Sequence, residues 1–182
     1  LGHWTGGDPD WQSLREHRVP TLQRCQLNSE RLPYRDGAFD LVVASWLVEH
    51  IPHPDLVFSE VARILKPGGS FVFLTPNVLH PIPRLSRLAA GWAQLQHRWV
   101  WWQSGRLASD AFPVYYRGNS AWEIQHLAAD AGMALVRLEL VDDPSYFAWG
   151  RLAFSLAVLL ERCLPAMWRV HIIGWYARPE WS

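Results

Sequence analysis

Apolar residues along this chain fall in blocks whose lengths alternate between those of strands and those of helices. The run 39–44 is almost wholly apolar, as a parallel strand covered on both faces requires, and 70–75 repeats the pattern. Between them Val57, Val61, Ile64 and Leu65 stand at i, i+4, i+7 and i+8, one stripe of a helix that starts near Pro54. Pro67-Gly68-Gly69 stops that helix as a turn. Upstream, the spacing predicts a short helix over 9–17 behind Asp8 as a cap, then an alternating strand over 21–27 and a turn over 32–38. Downstream, Ile82, Leu85, Leu88, Ala89 and Trp92 mark an amphipathic helix. Asn119-Ser120 caps another, with Ile124, Leu127, Ala128 and Ala131 on its inner face and Gly132 at its end. A strand over 134–141, a helix over 147–164 and a last strand over 170–177 complete the pattern.

Strands alternating with helices imply an α/β fold, a mostly parallel sheet with helices on both faces; the last strand is expected to be antiparallel, although spacing alone does not show it. The chain divides into a first part over 1–77, a helical, tryptophan-rich insertion or lid over 78–118, and a last part of helices and strands over 119–182. Together they form one expected domain. At 182 residues this is enough chain to bury a sizeable core.

Charge and composition narrow the function. Seventeen basic residues balance seventeen acidic ones, so no net field draws nucleic acid to the surface. Cys25 and Cys163 have neither metal nor redox spacing, which fits a reduced, cytoplasmic setting. The uncharged run 152–160 is well short of a bilayer span. Trp92, Trp99, Trp101 and Trp102 form a cluster with two readings, an aromatic lid or core element and a surface that meets a membrane interface. His50 and His53 have the spacing of a metal pair but no third ligand suited to zinc, and no metal is expected.

In an open α/β sheet, ligands bind beyond the carboxyl ends of the strands. That rule gathers Asp8, Asn28, Ser29, Glu30, Ser45, Trp46, Thr75 and Asn77 at one rim, although they are distant in sequence. His50 follows Glu49 there and is a candidate general base for a substrate hydroxyl; hydrogen bonding to its own loop is the competing reading. Tyr115, Tyr116 and Arg117 either line an acceptor pocket or anchor the loop that leads to Asn119. Lys66-Pro67-Gly68-Gly69 lies between a helix and a strand, the reverse of a phosphate-binding loop.

Gly7-Asp8-Pro9-Asp10, Leu32-Pro33-Tyr34, Phe39-Asp40-Leu41-Val42, Glu49-His50 and Leu65-Lys66-Pro67-Gly68-Gly69 resemble, in order and spacing, the type-11 class of class I S-adenosylmethionine-dependent methyltransferases. The resemblance covers residues 7–77 closely; Ala131-Gly132 and Pro144-Ser145-Tyr146 are similar to a looser set of members. It implies a Rossmann-like methyltransferase sandwich and S-adenosylmethionine as cofactor. Asp8 would accept hydrogen bonds from both ribose hydroxyls. Asn28, which otherwise serves as a turn residue, and Ser29 would stand beside the adenine, and Ser45 and Trp46 would border the methionine end, where Trp46 either offers a ring face to the sulfonium or packs the pocket wall. Asn77, Tyr115, Tyr116 and Arg117 would meet a small-molecule, glycan or lipid acceptor.

Relatives carry a first strand and a glycine-rich loop about 20 residues before the acidic residue. Only seven residues precede Asp8, so the expectation is a sheet incomplete at its N-terminal side, in a chain that binds the cofactor weakly or not at all and is inactive on that account. The alternative function is a non-catalytic module that meets a membrane or protein through its tryptophans.

Overall fold

The computed structural model describes residues 3–8, 14–15, 23–26, 31–81, 84, 113–143, 150–163 and 165–180. Among them run the strands β1 (Thr5–Asp8), β2 (Gln23–Gln26), β3 (Phe39–Ser45), β4 (Leu65–Pro76), β5 (Ala134–Val141) and β6 (His171–Ala177). The helices are α1 (Pro54–Ile64), α2 (Ala121–Asp130) and α3 (Arg151–Cys163), with single 3-10 turns at Val48–His50 and Ala166–Trp168. The helix expected near Ile82–Trp92, the tryptophan cluster and most of the helix expected over 9–17 lie outside the described residues.

The sheet comes in two pieces. β1 and β2 pair in parallel, and a four-stranded sheet runs β3-β4-β6-β5. β3 and β4 are parallel, while β6 is antiparallel to both β4 and β5, as expected of the last strand. The break falls between β1 and β3. A cavity of about 250 Å3 occupies it, lined by His3, Trp4, Thr5 and Gly7 on one side and by residues 41–44 and α1 on the other.

The core lies on one face of the larger sheet. Phe71 and Phe73 of β4 pack edge-on against Phe58 of α1, with ring centroids 5.5 and 5.8 Å apart. Ile124 and Ala128 of α2, Ile172 and Tyr176 join the same cluster. α1 and α2 both pack on this face. Val42 and Ala44 register with Phe71 and Phe73 and face the core. Leu41 and Val43 alternate onto the opposite face and are 45% and 62% exposed. The continuous apolar run of β3 therefore does not mean burial on both faces here.

Local chemistry sets the element ends. Ser120 and Glu123 form a reciprocal capping box at the start of α2, and Gly132 follows it at φ 73°. α1 ends at Ile64, earlier than the apolar stripe suggests, and Leu65 is already the first residue of β4. The Lys66–Gly69 segment is a bulge inside β4 rather than a turn before it. Phe39 pairs with Leu65 and Leu41 with Ser70, so the extra residues on β4 are accommodated by Gly68 at φ 77°. Gly68 N–H donates to Arg178 O, and Arg178 N–H donates to Gly69 O, which holds the bulge from the far end of the chain.

Candidate functional site

The carboxyl ends of β3, β4 and β5 and the amino end of β6 meet at one rim, because Pro76 and Val141 both register with His171. β3 ends at Ser45, and Trp46 follows at φ 55°, a left-handed conformation that side chains larger than glycine rarely adopt. Its N–H is tied to Leu74 O at 2.9 Å, so the backbone is fixed while the ring remains 43% exposed. The ring meets His171 edge-on at 4.8 Å. His171 is buried, and its Nε2 lies 3.2 Å from Asp143 Oδ2.

Beyond Trp46, the 3-10 turn brings Glu49 and His50 to the same rim. Glu49 is buried, and Thr75 Oγ1 donates to its Oε2 at 3.1 Å. Desolvation raises the Glu49 carboxyl above its ordinary range, against the opposing pull of its own backbone hydrogen bond, His50, Thr75 and His171. His50 Nδ1 is 2.9 Å from Pro113 O. A carbonyl only accepts, so Nδ1 carries the proton and Nε2 holds the lone pair of the neutral ring. Both readings of His50 are thus compatible with its position: it is anchored to a loop, and its second nitrogen is 3.9 Å from Glu49 Oε1.

The segment with Tyr115, Tyr116 and Arg117 is laid on that turn. The N–H groups of Tyr115 and Tyr116 both donate to Glu49 O, Arg117 donates to Pro52 O, and Tyr116 sits at φ 50°. These bonds anchor the loop before Asn119 and bring the half-exposed Tyr115 ring to the rim. Asn77 is placed differently. It is buried, its Nδ2 donates to Met167 O and Arg169 O, and its Oδ1 accepts from Leu79 N–H. Its amide is engaged with backbone on all sides.

Asp8 closes β1, half-buried, opposite Gln26 of β2. Gly7 and Ala44 line the same cleft, so Asp8 and Ser45 each stand one residue beyond it. Asn28 and Ser29 lie outside the described residues. The donor set suits S-adenosylmethionine in part: a carboxylate for a diol at one end, a hydroxyl and an indole face for a sulfonium at the other. Apolar side chains line most of the cleft between β1 and β3. Among the described residues no His, Cys, Asp and Glu cluster could hold a metal ion, and no helix is long and apolar enough to cross a membrane.

Several of these groups carry little sequence signal. Asn119, Asp143 and His171 become neighbours of the site only through the tertiary fold, and Glu49 stands out only as the acidic residue beside His50.

Comparison with known proteins gives a consistent picture. Residues 5–73 match the type-11 methyltransferase domain family. The ubiquinone/menaquinone biosynthesis C-methyltransferase of Bartonella bacilliformis is 35% identical over 87 residues, covering 40% of this chain and 34% of that protein. The corresponding protein of Brucella canis is 29% identical over 82 residues, covering 45% of this chain and 30% of its own. The chain thus spans about a third of the length of these curated relatives. Likeness to solved structures extends over nearly the whole chain. A Haloferax volcanii protein in complex with the Trm112 methyltransferase activator superposes with TM-score 0.65 at 17% identity, covering 98% of this chain and 73% of that one. Geranyl diphosphate C-methyltransferase of Streptomyces coelicolor, bound to Mg2+, geranyl diphosphate and S-adenosyl-L-homocysteine, gives 0.60 at 16%, covering 96% and 63%. The alternative of a non-catalytic module gains no support from these matches.

Proposed function

Because residues 5–73 match the type-11 methyltransferase domain family and the fold is that of solved methyltransferases, we propose that the chain transfers a methyl group from S-adenosylmethionine to a small-molecule acceptor. The observation that carries this reading is the placement of Asp8 and Ser45-Trp46. Asp8 ends β1 and Ser45-Trp46 ends and follows β3, each one or two residues beyond a lining residue of the cleft between these strands, Gly7 and Ala44.

When bound, the cofactor supplies a methyl carbon already activated by its sulfonium. The protein contributes alignment, exclusion of water and, where the acceptor must lose a proton, a base. Asp8 accepts from the ribose hydroxyls, and Asn28 and Ser29 extend that contact towards the adenine. Ser45 and the Trp46 ring border the methionine end. His50 is the base: Pro113 O fixes the tautomer, and Nε2 is the nitrogen able to take a proton. Tyr115, Tyr116 and Arg117 form the acceptor wall; Asn77 serves it indirectly, by fixing the 167–169 backbone beneath His171.

The exposed Trp46 and Tyr115 rings favour a flat, unsaturated acceptor. Carbon is the acceptor atom to test first, since the relatives at both levels of comparison include proteins named as C-methyltransferases. A lipid or glycan bearing such a group remains within the same class, reached from a cytoplasmic or membrane-peripheral position.

The test is calorimetric titration of S-adenosylmethionine and S-adenosylhomocysteine into the chain and its Asp8→Asn variant. Binding that Asp8→Asn weakens about tenfold supports the reading, as loss of a charge-assisted pair of hydrogen bonds should. Binding indifferent to Asp8 and to Trp46→Ala removes it.

A further inference from the structure

Glu49 is the buried acid among the described residues, and methyl transfer as set out above gives it no part. Burying a carboxylate is costly unless partners compensate it. Its partners form a directed chain. Asn119 Nδ2 donates to Thr75 Oγ1 at 2.6 Å and also approaches Pro76 O at 3.3 Å, which fixes the amide orientation. With that lone pair occupied, the Thr75 hydroxyl proton goes to Glu49 Oε2 at 3.1 Å. Thr75 and Asn119 are themselves fully buried. Every link donates towards the carboxylate, an arrangement that supports an anion.

The groups that act on this anion come from each element around it. His50 is on its own turn, with Nε2 3.9 Å from Glu49 Oε1. His171, held by Asp143, acts from the start of β6, more weakly than His50. β4 offers the neutral Thr75. The 113–120 segment offers the neutral Asn119, and its Arg117 turns away to Pro52 O. Among the described residues His50 is therefore the principal cation facing Glu49 whenever its ring is protonated.

We propose that Glu49 is a positioning residue that acts through His50, its carboxylate neutralising the imidazolium formed when Nε2 takes the proton lost by the methyl acceptor. The inference rests on the methyltransferase reading above. In the step, the carbon–sulfur bond breaks as the bond to the acceptor forms, and the acceptor's proton passes to Nε2. One positive charge enters on the sulfonium and one remains on the imidazolium, so charge balances. Glu49 meets that remaining charge inside the protein, where water would otherwise have to.

Carboxyl-carbon NMR titration of the whole chain tests this, comparing Glu49→Gln, His50→Gln, Thr75→Val and Thr75→Ser. Glu49→Gln keeps an acceptor for Thr75 and should leave the circular dichroism unchanged while removing one glutamate resonance that titrates above the ordinary range. His50→Gln and Thr75→Val should each lower the acid dissociation constant of that carboxyl at least threefold, and Thr75→Ser should restore it. Should Glu49→Gln unfold the chain, the His50→Gln titration still decides. A Glu49 carboxyl that titrates in the ordinary range, or one indifferent to His50→Gln, overturns the proposal. S-adenosylmethionine binding indifferent to Asp8→Asn and Trp46→Ala would instead remove the methyltransferase reading and leave this titration as it is.

Discussion

Thr75 Oγ1 donates to Glu49 Oε2 across 3.1 Å, joining the end of β4 to the turn that follows β3. The bond does not fully offset burial, and the Glu49 carboxyl stays raised above its ordinary value of 4.5. The folded state then binds this proton more tightly than the unfolded state. Its contribution to stability is complete below pH 4.5 and is lost as pH rises through the folded value. Glu60 has the opposite sign: Arg63 is the main cause of its lowered value, and its contribution is lost as pH falls. In Glu49→Gln, denaturant unfolding between pH 4.5 and 7 should show less loss of stability with rising pH than the unaltered chain. An unchanged slope would mean that Glu49 is not held in this environment.

Tyr176 lies parallel to Phe73, with ring centroids 6.1 Å apart, and is 1% exposed. Its hydroxyl has no hydrogen-bond partner among the described residues, and burial pushes it up to about 12. Leaving a buried hydroxyl unsatisfied costs about 1–3 kcal/mol. Tyr176→Phe should therefore be neutral or stabilising by about 1 kcal/mol in urea unfolding. A loss of more than that would reveal a partner for the hydroxyl.

Arg178 reaches from beyond β6 to the end of α1. Its Nη1 approaches Ala62 O and Arg63 O at 3.1 Å each and Leu65 O at 2.7 Å, three carbonyls at the end of α1 and the start of β4. Arg178→Ala should cost about 1.5–3 kcal/mol, the range for hydrogen bonds to a charged group, with Arg178→Lys recovering part of it. Equilibrium unfolding of both variants measures this; equal loss in the two would assign the effect to packing.

Gly174 and Phe73 are paired across β4 and β6, and a Cβ at Gly174 would overlap the Phe73 ring. Gly174→Ala should destabilise by about 1–3 kcal/mol, as overpacking of a filled core does. Phe73→Leu in the same chain should relieve part of that cost, so a double-mutant cycle gives the coupling.

How much of this was legible in the sequence depends on how local each cause is. The strand over Ala134–Val141 follows from its own residues, and the Ser120–Glu123 capping box lies within four positions. The antiparallel last strand was also expected. The bulge at Gly68 was not legible, because the bonds that hold it come from Arg178, at the other end of the chain. Asn77 illustrates the same limit: its rim position follows from the strand pattern, but its amide is spent on carbonyls 90 and 92 residues away. The Asn119–Thr75–Glu49 chain likewise joins residues 44 and 26 positions apart, and no spacing rule connects them. The motif order pointed to the methyltransferase family whose domain residues 5–73 match, while the polar wiring of the rim needed strand register.

The break between β1 and β3 bears most directly on cofactor affinity. Asp8 belongs to the two-stranded piece and Ser45-Trp46 to the four-stranded one, and among the described residues no strand pairing joins the two. A ligand that must touch both ends has to hold the pieces in register itself, and that ordering is subtracted from its affinity. The chain over residues 1–182 should bind S-adenosylmethionine weakly, with a dissociation constant well above the micromolar range. Its β1 amides should exchange with deuterium faster than those of β4, which pairs on both edges. Saturating S-adenosylmethionine should slow exchange in β1 more than in β4, since only β1 gains a constraint. Micromolar binding with β1 already protected in the free chain would show that apolar contacts across the cleft suffice to lock the two pieces together.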